Sequence, residues 1–212
     1  MSKVRVHNLH ISLDGFSAGD FVTFDKPMGD ARSLFAYFDG RVIDGVHHID
    51  DPITADRLII SGWSQGIGAE IMGRKKFGPQ TGPWRSEDDW RGWWGDAPPF
   101  GTPVVVLTHY PRDPIEFDNG TVFHFFDGTP EQALAFTRDL AGDGDIRLGG
   151  GPSSVRDFLH AGLVDFMHLI FVPTVLGTGV SIWDGSADLQ KSFDIESITT
   201  GTGLTHQFWN RK

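Results

Sequence analysis

The chain has 212 residues, no cysteine and a formal net charge of −10 at pH 7. This length fits one domain over residues 1–212, and the missing thiols exclude disulfides, thiolate metal sites and cysteine nucleophiles. The acidic charge argues against nucleic-acid and anionic-membrane partners, and no apolar run is long enough to span a bilayer. We therefore expect a cytoplasmic protein whose partner is a small molecule.

The first half of the chain is predicted to combine strands, helices and loops. Apolar residues between positions 4 and 13 predict a strand that ends at the turn-forming pair Asp14-Gly15. The next predicted elements are a loop at 15–30, a helix within 31–49, a helix from 52 to about 63, a strand at 67–72, a short helix at 73–77 and a long ordered loop at 78–102.

The second half is predicted to alternate strands with helices and then to continue with strands alone. Strands are predicted at 104–107, 121–126, 146–148 and 166–175, with a hairpin of 193–200 and 204–210 joined by a turn at 201–203. Thr129-Pro130 predicts the start of one helix, and Pro152 predicts the start of another. This order predicts an α/β fold with a mainly parallel central sheet flanked by helices, and a C-terminal antiparallel hairpin.

A run of three glycines, Gly149, Gly150 and Gly151, separates the strand at 146–148 from the helix that begins at Pro152. Such a turn lets a ligand approach bare backbone, and the N-terminus of a helix offers free N–H groups and a positive dipole end. The combination favours a phosphate-bearing ligand over a plain tight turn. It is not the Rossmann fingerprint, because Ser154 occupies the place of its last glycine.

Two further strands are predicted to end in groups that suit phosphate. Arg74 and Lys75 follow the strand at 67–72, and Thr108 and His109 follow the strand at 104–107. Because ligands of open α/β sheets bind at the carboxyl ends of strands, we expect both pairs to meet the glycine turn at one edge. In an acidic chain this convergence predicts a local anion site.

The sequence signals for acid–base or nucleophilic residues are weaker than those for the anion site. Asp14, Asp56 and Glu70 are available as proton-transfer groups, although nothing in their neighbourhood marks them as perturbed. Ser17 lies in a G-F-S-A-G sequence that matches the nucleophile elbow of α/β-hydrolases, but no helix pattern follows it. The nine histidines show no metal-binding spacing, so no metal is expected.

The long loop at 78–102 carries many aromatic residues, including Trp93 and Trp94. Disordered segments are poor in aromatic residues, so the loop is expected to be ordered. Two interpretations stay open. The rings either cap the core, or Trp93 and Trp94 form a lid that offers a flat apolar surface to a planar substrate.

Six short motifs occur in an order that identifies a family resemblance. They are S-L-D-G at 12–15, I-M-G-R-K at 71–75, V-V-V-L-T-H at 104–109, L-G-G-G at 148–151, A-G-L-V-D at 161–165 and V-P-T-V-L-G-T-G at 172–179. The chain resembles dihydrofolate-reductase-like proteins, above all the C-terminal reductase domain of the bifunctional riboflavin-biosynthesis deaminase–reductase. Stand-alone bacterial proteins with that domain also have a loop similar to W-R-G-W-W-G-D-A-P-P-F at 90–100.

The resemblance implies an NADPH-binding fold and assigns residues to the cofactor. Gly73, Arg74 and Lys75 would lie along its phosphates, and Thr108 and His109 would reach the adenosine ribose and its 2′-phosphate. The pyrophosphate would be held by Gly149, Gly150, Gly151, Ser153 and Ser154, and Leu148 would also belong to the cofactor site. The family also has a cis peptide bond between paired glycines at this turn, and its reductase domains are commonly dimers, so we expect a homodimer.

The function implied is hydride transfer from NADPH to a small heterocycle, as in 5-amino-6-(5-phosphoribosylamino)uracil reductase or dihydrofolate reductase. A binding protein or sensor of the same fold without turnover is the alternative, and a serine hydrolase is a remote third. Asp56 lies at about the separation of the folate-binding acid of dihydrofolate reductases. Pro152 stands where those enzymes often have a basic residue, so NADPH preference would depend on Arg74, Lys75 and His109, with Arg112 as a further candidate.

Overall fold

A computed structural model describes residues 2–38, 54–85, 89–185 and 188–212. The strands are β1 Val4–Ser12, β2 Phe16–Ala18, β3 Ile67–Gly73, β4 Pro103–Leu107, β5 Ile115–Glu116, β6 Val122–Phe126, β7 Asp145–Gly150, β8 Phe166–Val172, β9 Val180–Ser181, β10 Phe193–Thr199 and β11 Thr205–Arg211. The α-helices are α1 Ala55–Ile60, α2 Arg74–Phe77, α3 Pro130–Ala141 and α4 Pro152–His160. Gly29–Phe38 and Leu189–Ser192 form 3₁₀ helices.

Nine of these strands form one mixed sheet in the order β10-β11-β8-β1-β7-β3-β4-β6-β5. The central strands from β8 to β6 run parallel. The chain adds antiparallel strands at both edges, with β11 and β10 as a C-terminal hairpin beside β8 and with β5 beside β6. The predicted α/β fold with its antiparallel hairpin is confirmed.

Local sequence signals explain where the two long helices begin. The Thr129 side chain accepts from the backbone N–H of Gln132, whose own side chain accepts from Thr129 N–H, and Pro130 occupies the first helical position of α3. Pro152 opens α4, which buries Val155 and Phe158. These starts agree with the predicted ones because capping depends on a few neighbouring residues.

The structure differs from the sequence-based expectation in short elements and in strands that pair with distant parts of the chain. The predicted loop at 15–30 contains β2, which pairs with β9 more than 160 residues away. The helix predicted within 31–49 is a 3₁₀ helix, Gly29–Phe38, as far as it is described. Residues 39–53 lie outside the described residues, including the predicted helix start at position 52, and α1 begins at Ala55 behind the capping Thr54.

The two faces of the sheet carry different layers. On one face, α3 and α4 cover the largest core cluster, which includes Val6, Ile146 and Phe158. On the other face a smaller cluster joins Leu34 of the 3₁₀ helix and Ile60 of α1 to β8. Among the described residues, no helix is both long enough and apolar enough to cross a bilayer.

The parallel sheet opens between β1 and β7. Their pairing stops at Arg5 and Arg147, whereas β1 continues beside β8 as far as Ser12 and Val172. A β-bulge between Val6 and Leu9 lies at the point of separation, and Asn8 within it adopts a positive φ of 55°. The opening leaves the second half of β1 and the glycine-rich end of β7 on opposite sides of a gap.

Candidate functional site

The gap between β1 and β7 forms a cavity of about 880 Å³. This volume lies within the range of small-molecule and cofactor sites. Apart from Thr108, every residue assigned to the cofactor from the sequence contributes to its wall: Gly73, Arg74, Lys75, His109, Leu148, Gly149, Gly150, Gly151, Ser153 and Ser154. The three strand ends therefore meet as predicted.

The glycine turn forms one side of the cavity, and at Gly149 it packs so closely on its neighbours that a larger residue would clash there. A Cβ atom on Gly149 would lie 2.2 Å from Oε1 of Glu70, and one on Gly73 would lie 2.5 Å from Oγ of Ser154. The peptide bond between Gly150 and Gly151 is cis, as the family resemblance implied. Gly151 is the N-cap of α4 and provides no side-chain hydrogen bond to its first turn. Uncapped N–H groups at the start of a helix are suited to bind an anion.

A buried ionic cluster supports the glycine turn from below. The carboxylate of Glu70, only 1% exposed, accepts from Arg147 Nη1 at 2.7 Å and from Lys76 Nζ at 3.4 Å. Lys76 Nζ also donates to the carbonyl of Gly149 at 2.6 Å. The guanidinium of Arg147 lies 4.2 Å from the ring centroid of Trp63. Glu70, considered from the sequence as a proton-transfer group, is therefore an ion-pair partner that ties β3, β7 and α2 together.

The basic residues assigned to phosphate differ in how they are held. Arg74 Nη1 donates to the Gly82 carbonyl at 2.6 Å and to the Thr108 hydroxyl at 3.3 Å, and its guanidinium lies 3.7 Å from the Trp84 ring centroid. Lys75 is exposed, and so is His109. Arg74 thus braces the aromatic loop, whereas Lys75 is placed to meet a ligand.

Thr108 and His109 follow β4, but their side chains have different surroundings. The Thr108 hydroxyl is buried and accepts from Tyr110 N at 3.2 Å as well as from Arg74. The ring of His109 is exposed, with Nδ1 3.0 Å from a carboxylate oxygen of Asp127. The cofactor contacts predicted for Thr108 and His109 stay predictions, and of the two residues only His109 lines the cavity.

The structure places both predicted catalytic carboxylates outside the cavity wall. Asp14 accepts from the backbone N–H groups of Leu176 at 3.1 Å and Gly177 at 2.7 Å. Hydrogen bonds from the Ser12 hydroxyl and from these N–H groups lower the pKa of Asp14 to about 2. Asp14 is therefore ionised at neutral pH and anchors a loop, which does not suit a proton donor.

Asp56, on α1, is buried and faces the C-terminal hairpin. It accepts from the Thr202 hydroxyl at 2.8 Å, and its other oxygen lies 2.9 Å from Nε2 of His206. The role of substrate acid predicted for Asp56 stays a prediction, and a direct contact with a ligand in the cavity does not fit its position. A different carboxylate, Asp20, lies in the wall and accepts from the Thr178 hydroxyl.

The part of the wall formed by β1 and β2 contains polar groups that sequence reasoning missed as binding residues. Nε2 of His7 and Oγ of Ser17 are buried and have no hydrogen-bond partner among the described residues. Burial, and then the positive charge of Arg5 and Arg147, lowers the pKa of His7 to about 3, so its ring is neutral. Ser17 lies within β2 and no helix follows directly, so the hydrolase elbow is not formed.

The two tryptophans proposed as a lid have different positions. Trp94 lines the cavity, stacks on Phe123 at a centroid distance of 6.1 Å and packs against the core cluster around Phe77. Trp93 contacts the ring of Trp90 edge-to-face and is not part of the wall. In the described ranges no group of three His, Cys, Asp or Glu side chains is arranged to hold a metal ion.

Comparison with known protein families confirms the resemblance inferred from the short motifs. The profile of the RibD C-terminal domain matches residues 4–205. No curated protein sequence is a significant match.

Solved structures share the fold over the whole chain. A protein of Shewanella sp. PV-4 described as a riboflavin biosynthesis protein has 18% identity and a TM-score of 0.59, with 100% of this chain and 99% of that chain covered. Enterococcus faecalis dihydrofolate reductase complexed with NADP(H) has 11% identity and a TM-score of 0.52, with coverage of 100% and 96%.

A third structure is a diaminohydroxyphosphoribosylaminopyrimidine deaminase/5-amino-6-(5-phosphoribosylamino)uracil reductase from Thermotoga maritima. It has 12% identity and a TM-score of 0.53, and this chain matches 57% of its length. At these identities the likeness establishes the fold alone.

The position of Lys76 beneath the glycine turn should make the stability of the protein rise with pH. Burial, partly offset by the charge of Glu70, lowers the pKa of Lys76 from 10.5 to about 8. Below that value the amine is protonated in both the folded and the unfolded chain, so the cost of burying its charge is fully present. Between about 8 and 10.5 the unfolded chain binds more protons, so the free energy of unfolding increases.

Urea denaturation across this pH window measures the effect. Lys76→Met should remove the increase, whereas Lys191→Met, which alters an exposed lysine distant from the cavity, should leave it unchanged. An identical pH dependence in the wild type and in Lys76→Met would show that the amine keeps its ordinary pKa.

Truncating the two tryptophans should distinguish core capping from a lid. Trp94→Ala removes a ring that packs on Phe123, so we expect a loss of about 2–4 kcal/mol in the free energy of unfolding, somewhat below that of a fully buried ring. Trp93→Ala should cost less than about 1 kcal/mol. Urea denaturation of both variants gives the comparison, and an unchanged stability of Trp94→Ala would favour a mobile lid.

Proposed function

This chain belongs to the RibD C-terminal domain family, and we propose that it is an NADPH-dependent reductase that acts on a small heterocyclic substrate in the cytoplasm. The observation that carries the proposal is the glycine turn before α4, which opens on a cavity of about 880 Å³ together with two other strand ends. The named activity of the Thermotoga relative and the NADP(H) bound to the Enterococcus relative support the same function.

One end of the cavity suits the phosphates of a dinucleotide. Bare backbone at Gly149–Gly151 and the N-terminal N–H groups of α4 would hold the pyrophosphate. Exposed Lys75 and His109 would meet the 2′-phosphate that distinguishes NADPH from NADH. When bound, NADPH supplies the hydride, so the protein needs no nucleophile and instead orients the two reactants and excludes water.

The other end of the cavity suits a planar, uncharged ring. Its wall combines the apolar side chains of Phe35, Ile60 and Trp63 with polar groups of β1 and β2. The Nε2 atom of His7 and the hydroxyl of Ser17 would find partners in a ring that carries nitrogen and carbonyl groups. Because His7 is neutral, this end favours hydrogen bonding over ion pairing.

A protein of the same fold that binds NADP(H) without turnover is the second candidate. The observation that favours it is the use of both predicted catalytic carboxylates, Asp14 and Asp56, in hydrogen bonds outside the cavity wall. Oxidation of NADPH, followed with a panel of pteridines, pyrimidines and quinones, separates the two functions. Tight binding of NADPH without oxidation by any acceptor would favour the second.

The choice between NADPH and NADH should depend on Lys75. A charge-assisted contact with phosphate contributes roughly 1.5–3 kcal/mol, and the exposed position reduces this, so Lys75→Ala should weaken NADPH about five- to tenfold. NADH affinity should change less than about twofold, because NADH lacks the phosphate. Fluorescence titration measures both affinities, with Lys191→Ala as the exposed control. Equal losses for the two cofactors would place Lys75 away from the 2′-phosphate.

The homodimer expected from the resemblance belongs to the same proposal. Among the described strands, β10 is an edge of the large sheet, and it exposes Ile195 and Ile198. An unpaired strand edge with apolar side chains is suited to pairing with a second copy. We therefore expect a dimer in sedimentation experiments at micromolar concentration, and Ile198→Lys should shift it towards the monomer. A wild type that sediments only as a monomer would refute this assembly.

A further inference from the structure

A chain of buried side chains runs from α1 to the cavity across the strands β11, β8 and β1. Oδ1 of Asp56 lies 2.9 Å from Nε2 of His206, and Nδ1 of His206 lies 2.9 Å from Nε2 of His168. Nδ1 of His168 lies 2.9 Å from Oδ1 of Asn8. Asn8 is part of the cavity wall, whereas the two imidazole rings are almost completely buried.

The carbonyl of Ile60 fixes the orientation of the Asn8 carboxamide. Nδ2 of Asn8 donates to this carbonyl at 3.0 Å, and a flipped amide would place two acceptors face to face. The oxygen of Asn8 must therefore face His168, so Nδ1 of His168 has to carry a proton. The direction of one hydrogen bond in the wall thus determines the tautomer of a buried histidine.

Counting protons along the chain gives its charge state. Three consecutive hydrogen bonds, from Asn8 to Asp56, need one proton each. An ionised carboxylate and two neutral imidazoles supply two protons, because each neutral ring carries one. The three hydrogen bonds therefore require one proton more than an ionised Asp56 and two neutral histidine rings supply.

The additional proton belongs on His206. Burial, and then the charges of His206 and His10, lower the pKa of His168 to about 3, which keeps that ring neutral. Burial raises the pKa of Asp56, but hydrogen bonds from Thr200, His206 and Thr202 outweigh it and hold that pKa below its ordinary value. An ionised Asp56 beside a doubly protonated His206 satisfies every hydrogen bond in the chain.

The backbone at Asn8 directs this side chain to the wall. Asn8 lies in the β-bulge of β1 with a φ of 55°, a left-handed conformation that asparagine tolerates better than most residues. Bulges next to binding sites commonly redirect a side chain. Within the described part of the chain, His168 and Ile60 use two of the four hydrogen-bonding positions of the carboxamide, which leaves one N–H and one lone pair.

We propose that Asn8 is a substrate-binding residue that recognises the amide edge of a heterocycle, and that Asp56, His206 and His168 are positioning residues that lock its carboxamide. A ring carbonyl next to a ring N–H offers the acceptor and the donor that match the remaining N–H and lone pair of Asn8. The inference rests on the proposed function in that it assigns the heterocycle to this cavity. The buried chain gives Asp56 an indirect role in place of the direct contact expected from the sequence.

Nitrogen-15 NMR of the histidine rings in the ligand-free wild type tests the locked chain. At neutral pH we expect His206 to be protonated on both nitrogens and His168 on Nδ1 alone. In Asp56→Asn, which removes the negative charge and keeps a hydrogen-bonding side chain, His206 should carry one proton. A wild-type His168 protonated on Nε2 would leave the Asn8 oxygen without its donor and would overturn the proposal.

Binding of 5-aminouracil, measured by calorimetry, tests the ligand contact. Asn8→Gly suits the positive φ and removes the carboxamide, and we expect about a tenfold loss of affinity. His168→Leu should lose several-fold, whereas His168→Asn, whose amide nitrogen can replace Nδ1–H, should stay within about twofold of the wild type. The matched control ligand is the 1,3-dimethyl derivative, which lacks both ring N–H groups. It should bind the wild type more weakly than 5-aminouracil does, whereas Asn8→Gly should bind the two compounds with equal affinity.

The outcomes separate this proposal from the proposed function. Equal affinity of Asn8→Gly and wild type for 5-aminouracil, or no binding of that compound at millimolar concentration, would refute the role of Asn8. A wild type with the expected histidine protonation and 5-aminouracil binding but without NADPH binding would leave Asn8 in place and reject the reductase.

Discussion

The candidate site depends on the buried carboxylate of Glu70. It forms ion pairs with both Arg147 and Lys76 beneath a turn whose cavity-facing side is bare backbone. Removing one partner of such a buried group typically costs about 3–5 kcal/mol, because the remaining charges stay unpaired. The pairing also explains the small residue at Gly149, since a Cβ there would overlap the Glu70 carboxylate. One acidic side chain thus joins three elements and sets the shape of the proposed phosphate end.

The second constraint is the separation of β1 from β7. Paired parallel strands leave no space between them, so the cavity requires a place where the ladder ends. The bulge at Asn8 lies at that place, and the chain from Asn8 to Asp56 ties the freed strand to β8, β11 and α1. The opening is therefore bounded by two polar networks on the same sheet, one at Glu70 and one at Asp56, which hold its two sides in fixed positions.

Much of this arrangement was accessible from sequence where the signal is local. Thr129 and Pro152 mark helix starts, the glycine triplet marks the turn, and the apolar runs mark the central strands. The contact between Asp56 and His206 joins residues 150 positions apart, and no periodicity or short motif predicts it. Strand β2 has three residues and depends on β9 for its conformation, so its own sequence could not predict it. The resemblance identified residues of the glycine turn and of two other strand ends that line the cavity, because these residues form short motifs. It did not indicate Asn8, because a bulge depends on the pairing of whole strands.

The distribution of positive charge follows from the acidity of the chain. With a formal net charge of −10, cations near the cavity have many carboxylates available as competing partners. Arg147 and Lys76 form ion pairs with Glu70, and Arg74 donates to the Gly82 carbonyl and packs on the Trp84 ring. These three residues contribute rigidity and a positive field at the cavity, but their side chains are already oriented by the protein. Under the proposed function, direct contact with the 2′-phosphate would therefore involve exposed Lys75 and His109, whose Nδ1 lies 3.0 Å from a carboxylate oxygen of Asp127. The proposed anion site would thus combine two layers of cations, with paired cations that shape the cavity and exposed cations that would bind the ligand.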